Sequence, residues 1–181
     1  LQRASAARTE NRPLLGHAFI LLSQVQVRLW RHAEAEKTAR HLVEMEPGYG
    51  PAHYSLGRLL YDAGQFPEAG EKLETALILG TGDKVWGADQ DSCNFKAAFL
   101  LGRIWAADGR SGPARQAFSL ARDFDPQNPE PAFALAEVAL AEGEAALART
   151  HLEDVLRLAP GHRRAVNLYA RINGGGSDVR Q

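Results

Sequence analysis

The chain has 181 residues, of which 45% are hydrophobic and 24% are charged, a balance typical of a folded domain and unlike that of a disordered chain. The formal net charge of −1 argues against a nucleic-acid partner, because such a surface needs an excess of Lys and Arg. The single cysteine, Cys93, excludes an internal disulfide, and no apolar run approaches the roughly 20 residues of a membrane helix. We therefore expect a cytoplasmic protein with no membrane partner, held together by packing alone.

The start of the chain carries two further expectations. It begins at Leu1 instead of a methionine, which suggests a piece of a longer protein. Residues 1–15 precede the first regular unit and are expected to be a linker or the remnant of an earlier repeat, with Pro13 ending its last helix.

Arginine outnumbers lysine and alanine is abundant, which favours a GC-rich bacterial source.

A pattern of helix, tight turn and second helix then recurs along the chain. Gly64, Gly109 and Gly143 mark the turns of three units. Trp30 stands at the corresponding place of the first unit, where a glycine is expected. The first unit is thus the least regular of the four.

Small residues recur on the first helix of each unit. Gly57, Gly102 and Ala136 occupy equivalent places, and their lack of bulk lets another helix approach closely. Prolines end the second helices of three units, because proline lacks the N–H that would continue the helix: Pro47, Pro126 and Pro160.

With a period of about 34 residues and these motifs, the chain resembles the tetratricopeptide repeat family. The resemblance implies an all-α fold, a right-handed superhelical solenoid of helix-turn-helix repeats. It also implies a noncatalytic scaffold that binds proteins or peptides in its concave groove. The predicted repeats are residues 16–49, 50–83, 95–128 and 129–162, with a partial repeat at 163–173 and a flexible tail at 174–181.

Residues 84–94 interrupt the period between the second and third repeats, and insertions in such arrays map to loops on one face. Trp86 either caps the preceding hairpin or contacts a ligand. Asp89-Gln90-Asp91 has the spacing of the acidic triplet that holds a metal and a sugar nucleotide in many glycosyltransferases. It follows a helix and lacks a phosphate loop, so we expect a solvated loop.

The helices beside this insert suggest an alternative function. Residues 76–80 and 95–102, joined by an irregular spacer, resemble the repeats that follow the catalytic domain in bacterial family-2 glycosyltransferases. Phe95 stands where that family usually has tyrosine. This resemblance implies a region that positions an acceptor or mediates oligomerisation beside a catalytic domain.

The chain itself shows no pattern of catalytic residues. Its six histidines form no His-Glu-x-x-His pair, and no Gly-x-Ser-x-Gly nucleophile turn occurs. Cys93 follows Asp91 closely, which keeps its thiol protonated and unreactive. We predict no enzymatic activity, no metal and no cofactor.

The tetratricopeptide resemblance places the partner-binding groove on the first helix of each repeat. Tyr54 and Phe99 are equivalent, and Arg58 and Arg103 follow one helical turn later. The planar guanidinium of arginine binds carboxylates, and aromatic rings supply rigid apolar area. An acidic, partly apolar partner is therefore expected. Alternatively, the arginines pair with acidic residues of a neighbouring repeat. The predicted groove residues are Gln24, Tyr54, Arg58, Tyr61, Lys96, Phe99, Arg103, Phe133 and Glu137.

The last helix carries a separate prediction. Val166, Leu168, Tyr169 and Ile172 give it more apolar surface than a capping helix needs. We therefore expect a homodimer through this C-terminal helix.

Overall fold

The computed structural model describes residues 12–80 and 89–174, whose regular structure is helical throughout. The all-α fold predicted from the repeats is therefore confirmed. The chain divides into two compact units, Leu1–Leu100 and Leu101–Gln181, which are considered one at a time. The helices are α1 (Arg12–Arg28), α2 (His32–Met45), α3 (Gly50–Asp62), α4 (Phe66–Gly80), α5 (Asp89–Ala107), α6 (Ser111–Phe124), α7 (Pro129–Ala141), α8 (Ala145–Leu158) and α9 (Arg163–Gly174).

The tight turns of the hairpins lie where the sequence predicts them. Gly64, Gly109 and Gly143 have positive φ angles of 77°, 73° and 78°. At the first turn Trp30 takes the same conformation, with φ 60°. Its N–H donates to the carbonyl of Val27 and the N–H of Arg31 to that of Gln26, which is the hydrogen-bond pattern of a Schellman helix end. Trp30 thus replaces the turn glycine at the cost of a strained backbone.

The small residues allow close contact between the two helices of a hairpin. A Cβ on Gly57 would lie 2.9 Å from Cγ of Leu73, and one on Gly102 would lie 2.5 Å from Cε1 of Phe118. Both partner side chains are fully buried. The predicted close approach is confirmed at these two hairpins. The facing second helices contribute equivalent alanines, all with no exposed surface: Ala35, Ala69, Ala114 and Ala148.

Prolines fix the ends of three second helices. The residue before each proline leaves the helical region; Glu46, for example, has φ −132° and ψ 69°. The φ and ψ angles of Asp125 and Ala159 are close to those of Glu46. Proline excludes the helical conformation from the residue before it, so each second helix ends at the predicted place.

In each unit an arginine joins one hairpin to the next. Arg40 of α2 binds Glu68 of α4 with two N–H groups, at 2.5 and 2.9 Å, and also binds Glu36 of its own helix at 2.9 Å. The hydrogen bonds from Arg40 to Glu68 hold the pKa of Glu68 below its usual value. In the second unit Arg115 of α6 binds Glu142 and Glu144, at the turn between α7 and α8.

One prediction about a loop is corrected. Pro13 lies within α1 as described, and residues 1–11 lie outside the described residues, so the expected remnant of an earlier repeat stays a prediction. The expected loop at Asp89-Gln90-Asp91 is wrong, because α5 already begins at Asp89. No glycine or proline lies between Gly87 and Gly102, so no helix-breaking residue prevents α5 from including Asp89-Gln90-Asp91. Trp86 lies outside the described residues.

The apolar residues of α9 are mostly used within the chain. Leu168, Tyr169 and Ile172 pack against the core that α7 and α8 form, and Val166 is left 45% exposed. The expected apolar surface is therefore reduced to one residue. Dimerisation through this helix stays a prediction.

Replacing Gly102 by alanine should lower the free energy of unfolding by roughly 1–3 kcal/mol, because the new methyl group overlaps the ring of Phe118. Gly70→Ala is the matched control: it lies within α4 with no atom near its Cβ position. It should raise the unfolding free energy by roughly 0.5–1 kcal/mol. Urea denaturation measures both, and equal effects of the two substitutions would contradict the close-contact argument.

Replacing Trp30 by glycine should stabilise the chain by about 1 kcal/mol, since glycine adopts the left-handed turn without strain. Little buried area is lost, because Trp30 is 84% exposed. Trp30→Ala keeps the strained Cβ and should give no such gain. A thermal melt that ranks the alanine variant equal to or above the glycine variant would refute this account.

Candidate functional site

Three polar or aromatic residues form a row on the one face of α3 that is not covered by α2 and α4. Tyr54, Arg58 and Tyr61 are half-buried, whereas most other residues of this helix are buried. They follow one another at intervals of four and three residues, so their side chains share a helix face. We call this row the α3 face.

The guanidinium of Arg58 is held by Asp62. Its Nη1 donates to Oδ2 of Asp62 at 3.1 Å, and the two side chains are 33% and 52% exposed. Arg58 therefore has an acidic partner on its own helix; the alternative that it pairs with an acidic residue of a neighbouring repeat stays a prediction. The bond uses one of several N–H donors of the guanidinium, so the group can also bind a carboxylate from outside.

The two tyrosines that lie on either side of Arg58 in this row are half-buried. Burial raises the pKa of Tyr54 to about 12, and the nearby charge of Arg58 opposes the rise only in part. Its hydroxyl stays protonated at neutral pH and can donate a hydrogen bond. Tyr61 packs edge-on against Phe66 of α4, with ring centroids 5.5 Å apart. This contact restricts its ring orientation.

The other residues predicted on first helices have varied surroundings. Gln24 on α1 and Lys96 on α5 are exposed. Phe99 is half-buried and stacks on Phe95 at 6.0 Å. Arg103 is exposed and belongs to the second unit.

The equivalent face of α7 is closed by the chain itself. Phe133 is only 3% exposed, and the guanidinium carbon of Arg164 lies 4.4 Å from its ring centroid. Nη2 of Arg164 also donates to Oε1 of Glu137 at 2.8 Å. The prediction that Phe133 offers surface to a partner is therefore wrong, because α9 covers it. The position of Phe133 in the repeat gave no sign of this cover.

Sequence reasoning missed Asp62, although its four-residue spacing from Arg58 is the usual signal for an ion pair on a helix. In the described part of the chain, no group of His, Cys, Asp or Glu is arranged to hold a metal ion. Among the same residues, no helix is both long and apolar enough to cross a bilayer.

A buried histidine fixes the start of α3. Nε2 of His53 lies 2.9 Å from the carbonyl of Pro47, so in the neutral ring this nitrogen donates the hydrogen bond. Its Nδ1 is buried without a hydrogen-bond partner among the described residues. Burial lowers the pKa of His53 below 6.5, and the charge of Lys72 acts in the same direction. Protonation would place an unsatisfied N–H in the core.

Comparison with known proteins points to one family. Two family models, each described as a tetratricopeptide repeat, match residues 20–84 and 106–172. No curated protein sequence matches this chain significantly.

Several solved structures share the fold. A double mutant of MamA is 15% identical with a TM-score of 0.75, over 90% of this chain and 85% of that one. YrrB, a TPR protein described as having an unusual peptide-binding site, is 16% identical with a TM-score of 0.71, over 90% and 78%. A structure of the APC/C hetero-tetramer Cut9-Hcn1 is 18% identical with a TM-score of 0.73; the match covers 87% of this chain and 29% of that chain. At these identities the likeness shows the fold alone.

Acidification should destabilise the chain through His53. In the range just below the ordinary histidine pKa, the unfolded chain binds a proton that the folded chain resists, so stability falls as the pH drops. The loss of unfolding free energy between about pH 7.5 and about pH 5.5 should be smaller in His53→Gln than in the wild type.

His41→Gln is the control for the general effect of replacing a histidine by glutamine, because His41 is exposed. His151, whose pKa burial also lowers, contributes a remaining slope. An unchanged pH dependence in the His53 variant would show that this group does not couple folding to protonation.

Proposed function

The chain belongs to the tetratricopeptide repeat family, and from this premise we propose that it is a noncatalytic scaffold that binds a protein or peptide segment on the α3 face. The family fold supports a protein-interaction role in general. The particular face rests on the chemistry of its side chains. The proposed ligand is an extended segment that carries carboxylates and apolar side chains.

The observation that carries this proposal is the partly exposed Arg58, which lies between Tyr54 and Tyr61 along one face of α3. Its guanidinium is partly exposed and is oriented by Asp62, so less side-chain freedom is lost when a ligand binds. A planar guanidinium can form two parallel bonds to a carboxylate, and the rings of Tyr54 and Tyr61 supply apolar area with few rotatable bonds. Arginine and tyrosine are the residues that most often dominate protein interfaces.

Other predicted residues are proposed as secondary contacts. Gln24, Lys96 and Phe99 belong to the same unit as the α3 face. Arg103 stays a prediction from the repeat pattern. Glu137 is already paired with Arg164, so the face of α7 is not proposed as a binding site.

The structural neighbours are consistent with a peptide or protein ligand. YrrB is described by its peptide-binding site, and Cut9-Hcn1 is an assembly of different chains. None of the neighbours named above is a glycosyltransferase, so a role beside a glycosyltransferase domain stays a prediction. Cytoplasmic localisation and a bacterial source are likewise predictions.

Arg58→Ala should abolish or strongly weaken binding of acidic peptides selected on a peptide array. We expect wild-type affinities in the micromolar range, near −8 kcal/mol, and a loss of roughly 1.5–3 kcal/mol when the charged hydrogen bonds are removed. Fluorescence anisotropy with labelled peptides measures the change. The Arg58→Ala, Arg103→Ala double variant then tests whether the next repeat contributes.

Two controls make the test specific. Asp62→Asn keeps an oxygen that can accept from Arg58 and orient it, but removes the negative charge that repels a ligand carboxylate, so it should tighten binding, the opposite of Arg58→Ala. Arg157→Ala removes an exposed, paired arginine from α8 and should have no effect. Equal losses for Arg58→Ala and Arg157→Ala would show only a general charge effect and would overturn the proposed face. Failure of every acidic peptide to bind would overturn the proposed ligand.

A further inference from the structure

The turn between α1 and α2 carries the most exposed large apolar side chain in the described part of the chain. Trp30 is 84% exposed, and Leu29 beside it is 60% exposed. Trp30 also has a φ angle of 60°, in the region that the other three turns occupy with glycine. A side chain in solvent makes no packing contact that would offset this strain, and strain of this kind often marks a functional residue.

The exposure of this turn does not depend on what precedes α1. Gly64 occupies the same place in the next hairpin, which has the hairpin of α1 and α2 in front of it. A Cβ at Gly64 would still meet no atom within 4 Å, and both neighbours of Gly64 in the sequence are exposed. Gly143 in the second unit is open in the same way. The turns therefore lie at an edge that a preceding hairpin leaves uncovered.

Another apolar side chain lies at the same edge of the first unit. Helices α1 and α3 are the first helices of consecutive repeats and run in the same direction, so the turns that follow them lie at the same end. Phe66 begins α4 directly after the second turn. It is 44% exposed, although Tyr61 packs against its ring. Leu29, Trp30 and Phe66 therefore all present apolar surface at one end of the unit.

Basic residues surround the apolar pair of the first turn. Arg28 and Arg31 flank the pair in the sequence, and His32 lies edge-on to Trp30, with ring centroids 6.0 Å apart. Arg28 has no acidic partner among the described residues, and Arg31 makes an exposed contact with Glu34 at 3.4 Å. The sequence of α1 contains no acidic residue. We call residues 28–32 the α1–α2 tip; its charge favours an anionic partner over a cationic one.

The shape of the α1–α2 tip indicates which anionic partner it fits. Residues 28–34 are all exposed, so this segment projects from the edge of the unit and offers no groove in which a peptide could lie. A projecting apolar pair with basic neighbours can instead enter the interface of a bilayer. Tryptophan is enriched at that depth, and arginine is attracted there by the anionic headgroups.

We propose that the α1–α2 tip binds the surface of an anionic lipid bilayer, with Leu29 and Trp30 entering the headgroup layer and Arg28 and Arg31 contacting lipid phosphates. A surface contact of this kind needs no spanning helix, and the sequence-based expectation of no membrane partner rested on the absence of one. The tip shares no residue with the α3 face, so the two sites can be tested separately.

Titration of the full chain with lipid vesicles, read out by flotation, tests the proposal. Vesicles of phosphatidylcholine and phosphatidylserine should bind at least about tenfold more tightly than vesicles of phosphatidylcholine alone, because each basic residue near an anionic surface adds attraction. Trp30→Gly should weaken this binding at least about tenfold, because it removes the largest apolar surface of the tip. The same substitution should raise the melting temperature, so a loss of binding cannot come from unfolding. Arg28→Glu should also weaken binding.

Tryptophan fluorescence locates the contact. Trp30→Phe keeps an aromatic ring and should keep most of the binding, but it should remove the shift of emission to shorter wavelengths that anionic vesicles cause in the wild type. Two controls lie in the second unit: Val166→Gln replaces another exposed apolar residue, and Arg157→Glu reverses another exposed charge. Neither control should change vesicle binding.

Failure of anionic vesicles to bind, or unchanged binding by Trp30→Gly, would overturn the proposal. So would displacement by soluble glycerophosphoserine, because the tip would then hold a free headgroup. Acidic peptides that bind through Trp30 in the absence of vesicle binding would overturn it in favour of a protein partner, and a wild-type dimer that Trp30→Gly converts to monomer would do so in favour of a second copy. Arg58→Ala should leave vesicle binding unchanged, which separates this test from that of the α3 face.

Discussion

The contact between a small residue on the first helix and a large apolar residue on the second sets the geometry of the hairpins. At Gly102 the ring of Phe118 occupies the space that a Cβ would need. The two helices can then approach closely at this point, and the remaining space is filled by leucine and alanine. Since this contact fixes how each first helix is rotated, it also decides which of its residues face outward. The row of Tyr54, Arg58 and Tyr61 on α3 is a consequence of that rotation.

The parts of the fold that follow from local chemistry were predictable. The turn at Trp30 was located by register alone, although tryptophan is a poor residue for a positive φ angle. The helix ends before Pro47 and Pro126 follow from the geometry of proline. The start of α5 was not predictable in this way, because the insert has no period and its only early signal is the absence of glycine and proline after Gly87.

The candidate site was less predictable, for a physical reason. Register gives the place of a residue within its repeat, but the neighbouring element decides whether that place is open. Phe133 occupies the same place as Tyr54, yet Arg164 covers its ring. Leu22 occupies the same place as Leu56, yet only the latter is buried. Repeats with one backbone geometry can therefore differ in function at every position where their neighbours differ.

The arginines that bridge consecutive hairpins have a consequence for how the units unfold. In repeat arrays, stability is the sum of each repeat's own stability and the coupling between neighbours. Arg40 supplies part of that coupling in the first unit, and Arg115 does so in the second. Both bridges are partly exposed to solvent, so dissolved salt weakens them more than it weakens the buried contacts inside a hairpin. Ionic strength thus acts on the cooperativity of each unit: with increasing salt, consecutive hairpins become less dependent on one another and melt over a broader range.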